Sequence, residues 1–192
     1  ERRVDERTRE LREQVTERQR GERLQAALFR IAEQAGRSES IEVFYAEVHG
    51  IVSALLDARN FFIALLTDDG NELDFPYSVD ERDQKRPRRR LAKGLTEFVL
   101  ASGQPLLADR NAIHDLVSEG KVQSFGTPSV CWLGVPLHLA GKAAGVIAVQ
   151  SYTPDYLYTR RDQELLSFVS FHIAQALERR QAIPGQHPDH VP

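Results

Sequence analysis

Side chains able to do chemistry gather in a few places along this sequence. The run RDQKRPRRR, from Arg82 to Arg90, carries Lys85, Arg86, Arg88, Arg89 and Arg90 and could capture an anionic ligand or partner surface by charge-assisted hydrogen bonds. The neighbouring Asp80, Glu81 and Asp83 allow a plainer role for it as a balanced, solvated loop. The loop Gly126-Thr127-Pro128-Ser129 offers backbone N–H and hydroxyl donors to a ligand, although ordinary turn chemistry also accounts for it. Cys131 has no Lys, Arg or His beside it in sequence and reads as a small buried side chain. His114, His138 and His172 fall on different elements, without metal-ligand spacing, so no metal site is expected. No nucleophile pairs with a base, and no catalytic residue is expected.

The elements that must position these groups follow from periodicity and capping. Leu24, Leu28, Ile31 and Ala35 recur at helical spacing up to Gly36. Ser38 or Ser40 can cap a second helix carrying Ile41, Phe44, Val48, Ile51, Val52, Leu55 and Leu56. NFFIALLT (60–67) and the alternating Leu73, Phe75, Tyr77 and Val79 form a hairpin around Asp68-Asp69-Gly70-Asn71. An irregular middle follows: a short helix 94–102 closed by Gly103, a strand 105–108 and a helix 112–119. Strands 129–139 and 143–152 make a second hairpin, and Thr159 with Asp162 opens the last helix as a capping box.

Strand parity tells how the sheet is covered. Phe61, Ile63 and Leu65 fall on one face and Phe62, Ala64 and Leu66 on the other, and Val146 to Val149 divide in the same way. Both faces are apolar, which predicts an α+β fold: a central antiparallel sheet with helices on both faces. The long terminal helices cover one face and the irregular middle roofs the other, where a cavity can form. Tyr77, Thr96, Phe98, Thr127, Ser129 and Trp132 are the candidate pocket residues.

The two ends of the chain point to association. Val4, Leu11 and Val15 have coiled-coil spacing in an otherwise charged segment, so residues 1–23 are expected to project as a helix continuous with the first helix of the body. On the last helix, Leu165, Leu166, Phe168, Val169, His172, Ile173, Ala176 and Leu177 span about half the circumference, wider than one contact requires. Val4, Leu11, Val15, Leu24, Leu28, Ile31, Val169, His172 and Ala176 are the candidate interface of a homodimer, and His172 could tune that packing with pH. Residues 24–180 form the domain, and 181–192, rich in Pro, His and Gly, read as a disordered linker.

Composition narrows the function classes. A formal net charge of −3 offers no basic field for nucleic acid. No apolar run is long enough for a membrane span, and the charged first residues do not read as a signal peptide. One cysteine, with no disulfide possible inside the chain, fits a reducing cytoplasm. The sequence has no methionine, even at position 1, and reads as a piece of a longer polypeptide.

Taken in order, NFFIALL (60–66), GLTEFVLASGQPLL (94–107), SVCWLGVPLHLAGKAAGVIAVQSY (129–152) and RRDQELLSFVSFHIAQALER (160–179) resemble a GAF domain. The most specific part is Trp132 to Leu137 followed by Gly145 to Gln150. The resemblance is to GAF modules upstream of bacterial diguanylate cyclase or histidine kinase output domains. It implies a cytoplasmic sensory module that binds a small molecule under its roof and relays its state through a dimeric helical bundle to an effector domain of the same polypeptide. A ligand-free dimerisation scaffold is the alternative. The resemblance identifies no cofactor. The Asn-Lys-Phe-Asp-Glu set of cyclic-nucleotide-binding relatives is not recognisable. Bilin-attaching relatives place histidine after the cysteine, where this chain has Trp132, and GAF-fold methionine sulfoxide reductases use several cysteines, where this chain has one.

Overall fold

The computed structural model describes residues 2–37, 40–83 and 85–182. Helix α1 (Arg2–Arg37) is one uninterrupted helix of 36 residues, about 54 Å long at the usual rise. Arg, Glu, Gln, Leu and Ala dominate it, and ion pairs such as Arg9–Glu13 and Arg18–Glu22 span single turns. These interactions carry the helix through Gly21 without a break. Residues 2–23 are exposed, and burial begins with Ala27, Ile31 and Ala35. Helix α2 (Ile41–Ser53) is capped by Ser40, whose Oγ accepts from the Val43 amide. The alternative cap Ser38 and the tail 183–192 lie outside the described residues.

Strands β1 (Phe61–Leu66) and β2 (Glu72–Val79) form the first hairpin. A two-residue strand β3 (Arg89–Arg90) lies within the arginine run, where the sequence predicts a loop, and pairs with the start of β2. Helix α3 (Leu95–Ser102) ends at Gly103, whose φ of 64° is the left-handed C-cap. Then come β4 (Leu106–Asp109) and α4 (Arg110–Ser118); α4 starts earlier than its apolar pattern predicted because the Asp109 carboxylate caps the Ala112 amide. Strands β5 (Cys131–Leu139) and β6 (Lys142–Ser151) form the second hairpin, and α5 (Arg160–Ala182) closes the fold. The six strands lie in the order β3-β2-β1-β6-β5-β4, every pair antiparallel.

Alternating side chains give the sheet two apolar faces. Phe61, Ile63, Leu133, Val135, Leu137, Ile147 and Val149 meet α1, α2 and α5 in the larger core. Phe62, Ala64, Leu73, Phe75, Trp132, Val146 and Ala148 meet Val99 of α3 in the smaller one. This is the α+β architecture that the alternation predicted, with the irregular middle as a roof. One bulge breaks the parity. Ile63 faces Tyr77 and Leu65 faces Asp74, so Phe75 and Pro76 together oppose Ala64. Proline cannot donate to the ladder, and the extra residue is accommodated where it sits. As a result Phe75 points to the roof and Tyr77 to the helices.

Helices α1 and α5 run parallel. Arg161 donates to Glu17 near one end of the contact, and Arg180 donates to the Ala35 carbonyl near the other. Among the described residues, no helix is long and apolar enough to cross a membrane.

Candidate functional site

The roof side has an aromatic floor. Phe62 and Phe75 meet edge to face with ring centroids 5.8 Å apart. Beside them the indole of Trp132 lies over Gly134, where an added Cβ would come within 2.2 Å of the ring, so this position has room only for hydrogen. The segment leaving β2 folds back across the floor. The Arg86 guanidinium sits 4.5 Å above Phe62, and Arg89 lies 5.6 Å from both Phe75 and Phe125. The arginine run therefore divides: Lys85, Arg88 and Arg90 are exposed, while Arg86 and Arg89 turn inward as half-buried cations.

A polar network closes the floor at the end of the sheet where β1 begins and β6 ends. Ser129 donates to Gln150 Oε1 at 2.7 Å. The Gln150 amide donates in turn to Asp80 at 2.7 Å and to the Tyr152 hydroxyl at 2.9 Å. Tyr152 also donates to Asp80 at 2.8 Å, and Arg82 lies over its ring. Asp83 takes the Thr127 amide and hydroxyl, tying the segment after β2 to the loop before β5. Asn60 bridges the Gln150 carbonyl and Glu81. Burial of Asp80 opposes its ionisation. The amides of Asp83 and Arg82, with Tyr152 and Gln150, outweigh that and hold its carboxyl below the ordinary range.

Glu97 on α3 is the second buried carboxylate, its side chain 9% exposed. Burial again opposes charge, but Arg89 and the Ala92 amide at 3.0 Å both bond Oε1 and hold the carboxyl below the ordinary range. Oε2 has no partner. Among the described residues, the buried side-chain polar atoms without a hydrogen bond are Glu97 Oε2, Arg86 Nη1 and Ser78 Oγ. Ser78 pairs across the ladder with Phe62 and so shares its face, which places all of these atoms on the roof side.

The residues singled out from sequence separate. Trp132 and Thr96 are buried, Phe98 is half-buried, and Thr127 and Ser129 are members of the polar network. Tyr77 must be reassigned: the bulge at Pro76 turns it to the helix side, where its hydroxyl meets His49 Nδ1 at 2.8 Å. Sequence reasoning missed Asn60, Gln150 and Tyr152, and it left Asp80 and Asp83 as surface balance for the arginines. Their partners are distant in sequence, and the only local signal was a polar residue interrupting each apolar strand end.

The interface candidates also divide. Val4, Leu11 and Val15 are exposed. Leu24, Leu28 and His172 are half-buried, while Ile31, Val169 and Ala176 are fully buried against their own domain and cannot touch a partner without unfolding it. The outward aromatic residues are instead Phe29, Phe168 and Phe171, 70%, 56% and 58% exposed. Phe29 was legible: it lies two heptads beyond Val15, in the same frame as Val4 and Leu11.

Two depressions among the described residues lie away from the aromatic floor. A groove of about 810 Å³ is lined by His49, Asp57, Arg59, Glu81 and Tyr156, but Arg59 is already bonded to Asp57 and both nitrogens of the His49 ring have partners. Another, of about 350 Å³, runs between Pro136, His138 and Phe171.

Comparison with known proteins adds to this geometry. The family model of the GAF domain matches residues 38–178. Among curated protein sequences none matches the chain. Solved structures do. The GAF domain of a phosphoenolpyruvate-protein phosphotransferase from Coxiella burnetii has a TM-score of 0.65 at 16% identity, covering 83% of this chain and 95% of that one. A methyl-accepting chemotaxis protein, residues 122 to 287, gives 0.66 at 15% identity over 82% and 99%. A free methionine-R-sulfoxide reductase from Neisseria meningitidis in complex with its substrate gives 0.63 at 16% identity over 83% and 92%. At these identities the likeness is one of fold.

Proposed function

The chain belongs to the GAF domain family, a sensory and regulatory fold of signalling proteins, and from that premise we propose that it is a cytoplasmic regulatory module. It binds a small molecule on the roof side of its sheet and relays the bound state through a dimeric helical bundle to an effector domain of the same polypeptide. The observation that carries this reading is the set of unpartnered buried polar atoms on the roof side. Such atoms cost about 1–3 kcal/mol each unless something bonds them, and a ligand is one agent able to do so. The sheet is the mechanical link. In β6, Val146 and Ala148 touch the roof core while Ile147 and Val149 touch the helices, so a shift on one face is felt on the other. A ligand that binds one packing of α1 and α5 better than another shifts the population between them.

The dimer in this reading uses the outward face of both helices. Val4, Leu11, Val15 and Phe29 line α1, and Phe168 and Phe171 line the neighbouring α5, so two copies meet in parallel with their inward residues undisturbed. A catalytic role is not proposed. Cys131 sits in the helix-side core, away from the roof network, and burial pushes its thiol up, away from the reactive thiolate.

A ligand-free scaffold is the second reading, favoured by the Trp132 indole, which already fills the space over Gly134. Native mass spectrometry of the purified protein, together with a thermal-shift screen of cellular metabolites, separates the two. Sensing predicts a retained or stabilising small molecule whose effect disappears in Arg86→Ala. A dimer that neither retains nor responds to any compound would leave the scaffold standing.

A further inference from the structure

Resting on the roof-side reading, we infer that the ligand is a small zwitterion carrying one ammonium and one carboxylate group joined by a short apolar stem. Each unpartnered atom asks for a different chemical group. Glu97 Oε2 belongs to a buried carboxylate held ionised by Arg89, and it accepts a proton donor, most favourably a cationic one. Arg86 Nη1 is a guanidinium donor, permanently charged, and it seeks an anionic acceptor. Its other terminal nitrogen is 3.7 Å from Asp80 and 4.0 Å from Asp83, near enough for attraction and too far for a good hydrogen bond. Ser78 Oγ, on the residue opposite Phe62 in the ladder, can donate or accept.

The charges around the floor balance. Arg86 lies beside Asp80 and Asp83, Arg89 bonds Glu97, and Arg82 covers the ring of Tyr152, whose hydroxyl bonds Asp80. A dianion such as a dicarboxylate or a nucleotide would satisfy Arg86 but meet three carboxylates; a polyamine would meet the arginines. A molecule with one charge of each sign meets an opposite charge at both ends. The two ends belong to groups at neighbouring rings: Arg86 covers Phe62, Arg89, the partner of Glu97, lies over Phe75, and the two ring centroids are 5.8 Å apart. The two charged ends are thus seated over different rings, which favours a ligand whose charges are held apart by methylene groups over one with charges on adjacent carbons. Phe62 and Phe75 are 3% and 5% exposed beneath the guanidinium groups, so the stem lies beside those groups and not on the rings.

Calorimetric titration and thermal shift with glycine, β-alanine, γ-aminobutyrate and δ-aminovalerate test this, with succinate, AMP and putrescine as comparison probes. The expected result is saturable binding and a raised Tm for the longer amino acids. N-acetylation or methyl esterification of the best ligand should remove both effects. Glu97→Gln should weaken binding at least tenfold, and Arg86→Lys should do the same through the other end; melting curves of each variant show that it is folded. Binding of succinate or AMP in preference to every amino acid would overturn the zwitterion while leaving a roof-side ligand in place. If no probe binds and Glu97→Gln raises Tm, the buried carboxylate is an unpaired structural cost, and both this inference and the roof-side reading fall.

Discussion

The two faces of the sheet are built from the same alternating strands and do different work. On the helix side, three helices bury a continuous apolar core in which Ile31, Ile63, Leu133, Leu166, Val169 and Ile173 have no exposure. On the roof side a smaller core shares its face with arginines stacked on rings, two buried carboxylates and the polar atoms that lack partners. The contrast teaches that the stability of this fold is concentrated on one face, which leaves the other free to carry unsatisfied chemistry.

The strongest way to break the comparison is to attack the helix side. Ile173→Ala should cost about 2–5 kcal/mol in urea denaturation, the range for deleting a large buried aliphatic side chain. A loss below 1 kcal/mol would mean that this face is not the main store of stability. On the roof side Gln150→Ala removes the donor to Asp80 and the acceptor of Ser129 together, and should cost about 1–3 kcal/mol.

Acid gives a sharper version of the same contrast. Asp80 and Glu97 are buried carboxylates with folded-state ionisation below the unfolded value. The stability they contribute is therefore complete above the unfolded range, about pH 4, and is lost as pH falls through the folded values. The single tryptophan of the chain, Trp132, reports on the roof, and circular dichroism at 222 nm reports on the helices. Below about pH 4 the fluorescence should change before the ellipticity does. Coincident transitions would show that the faces unfold as one unit. The smallest effect on folding is expected at the outward seam: Phe29→Ser and Phe171→Ser should move monomer stability by no more than about 0.5 kcal/mol, as surface changes do. The same pair should weaken self-association in analytical ultracentrifugation, and unchanged association would place the contact elsewhere.

Much of this arrangement was legible beforehand, for reasons that particular residues show. The alternation through Phe61 to Leu66 and Val146 to Val149 identified two covered faces, because a period of two leaves no other place for those side chains. Tyr77 alternates with Phe75 in sequence, but the bulge at Pro76 puts the two on opposite faces, and the proline was itself a sign of irregularity. Ile31 and Val169 were assigned to an interface because periodicity identifies an apolar stripe without saying which neighbour covers it. The network around Asp80 stayed hidden for a different reason: Gln150 and Tyr152 lie some seventy residues away in the chain, and only the folded ladder brings them together.

The parallel course of α1 and α5 has one more consequence. Glu17 lies beside Arg161 and Ala35 beside Arg180, so the polypeptide comes in at one pole of the domain and leaves at the opposite pole. A unit wired this way can be spliced into a long axial shaft without bending it, and several could be strung end to end. A twist imposed at one pole would then be handed on along a single line.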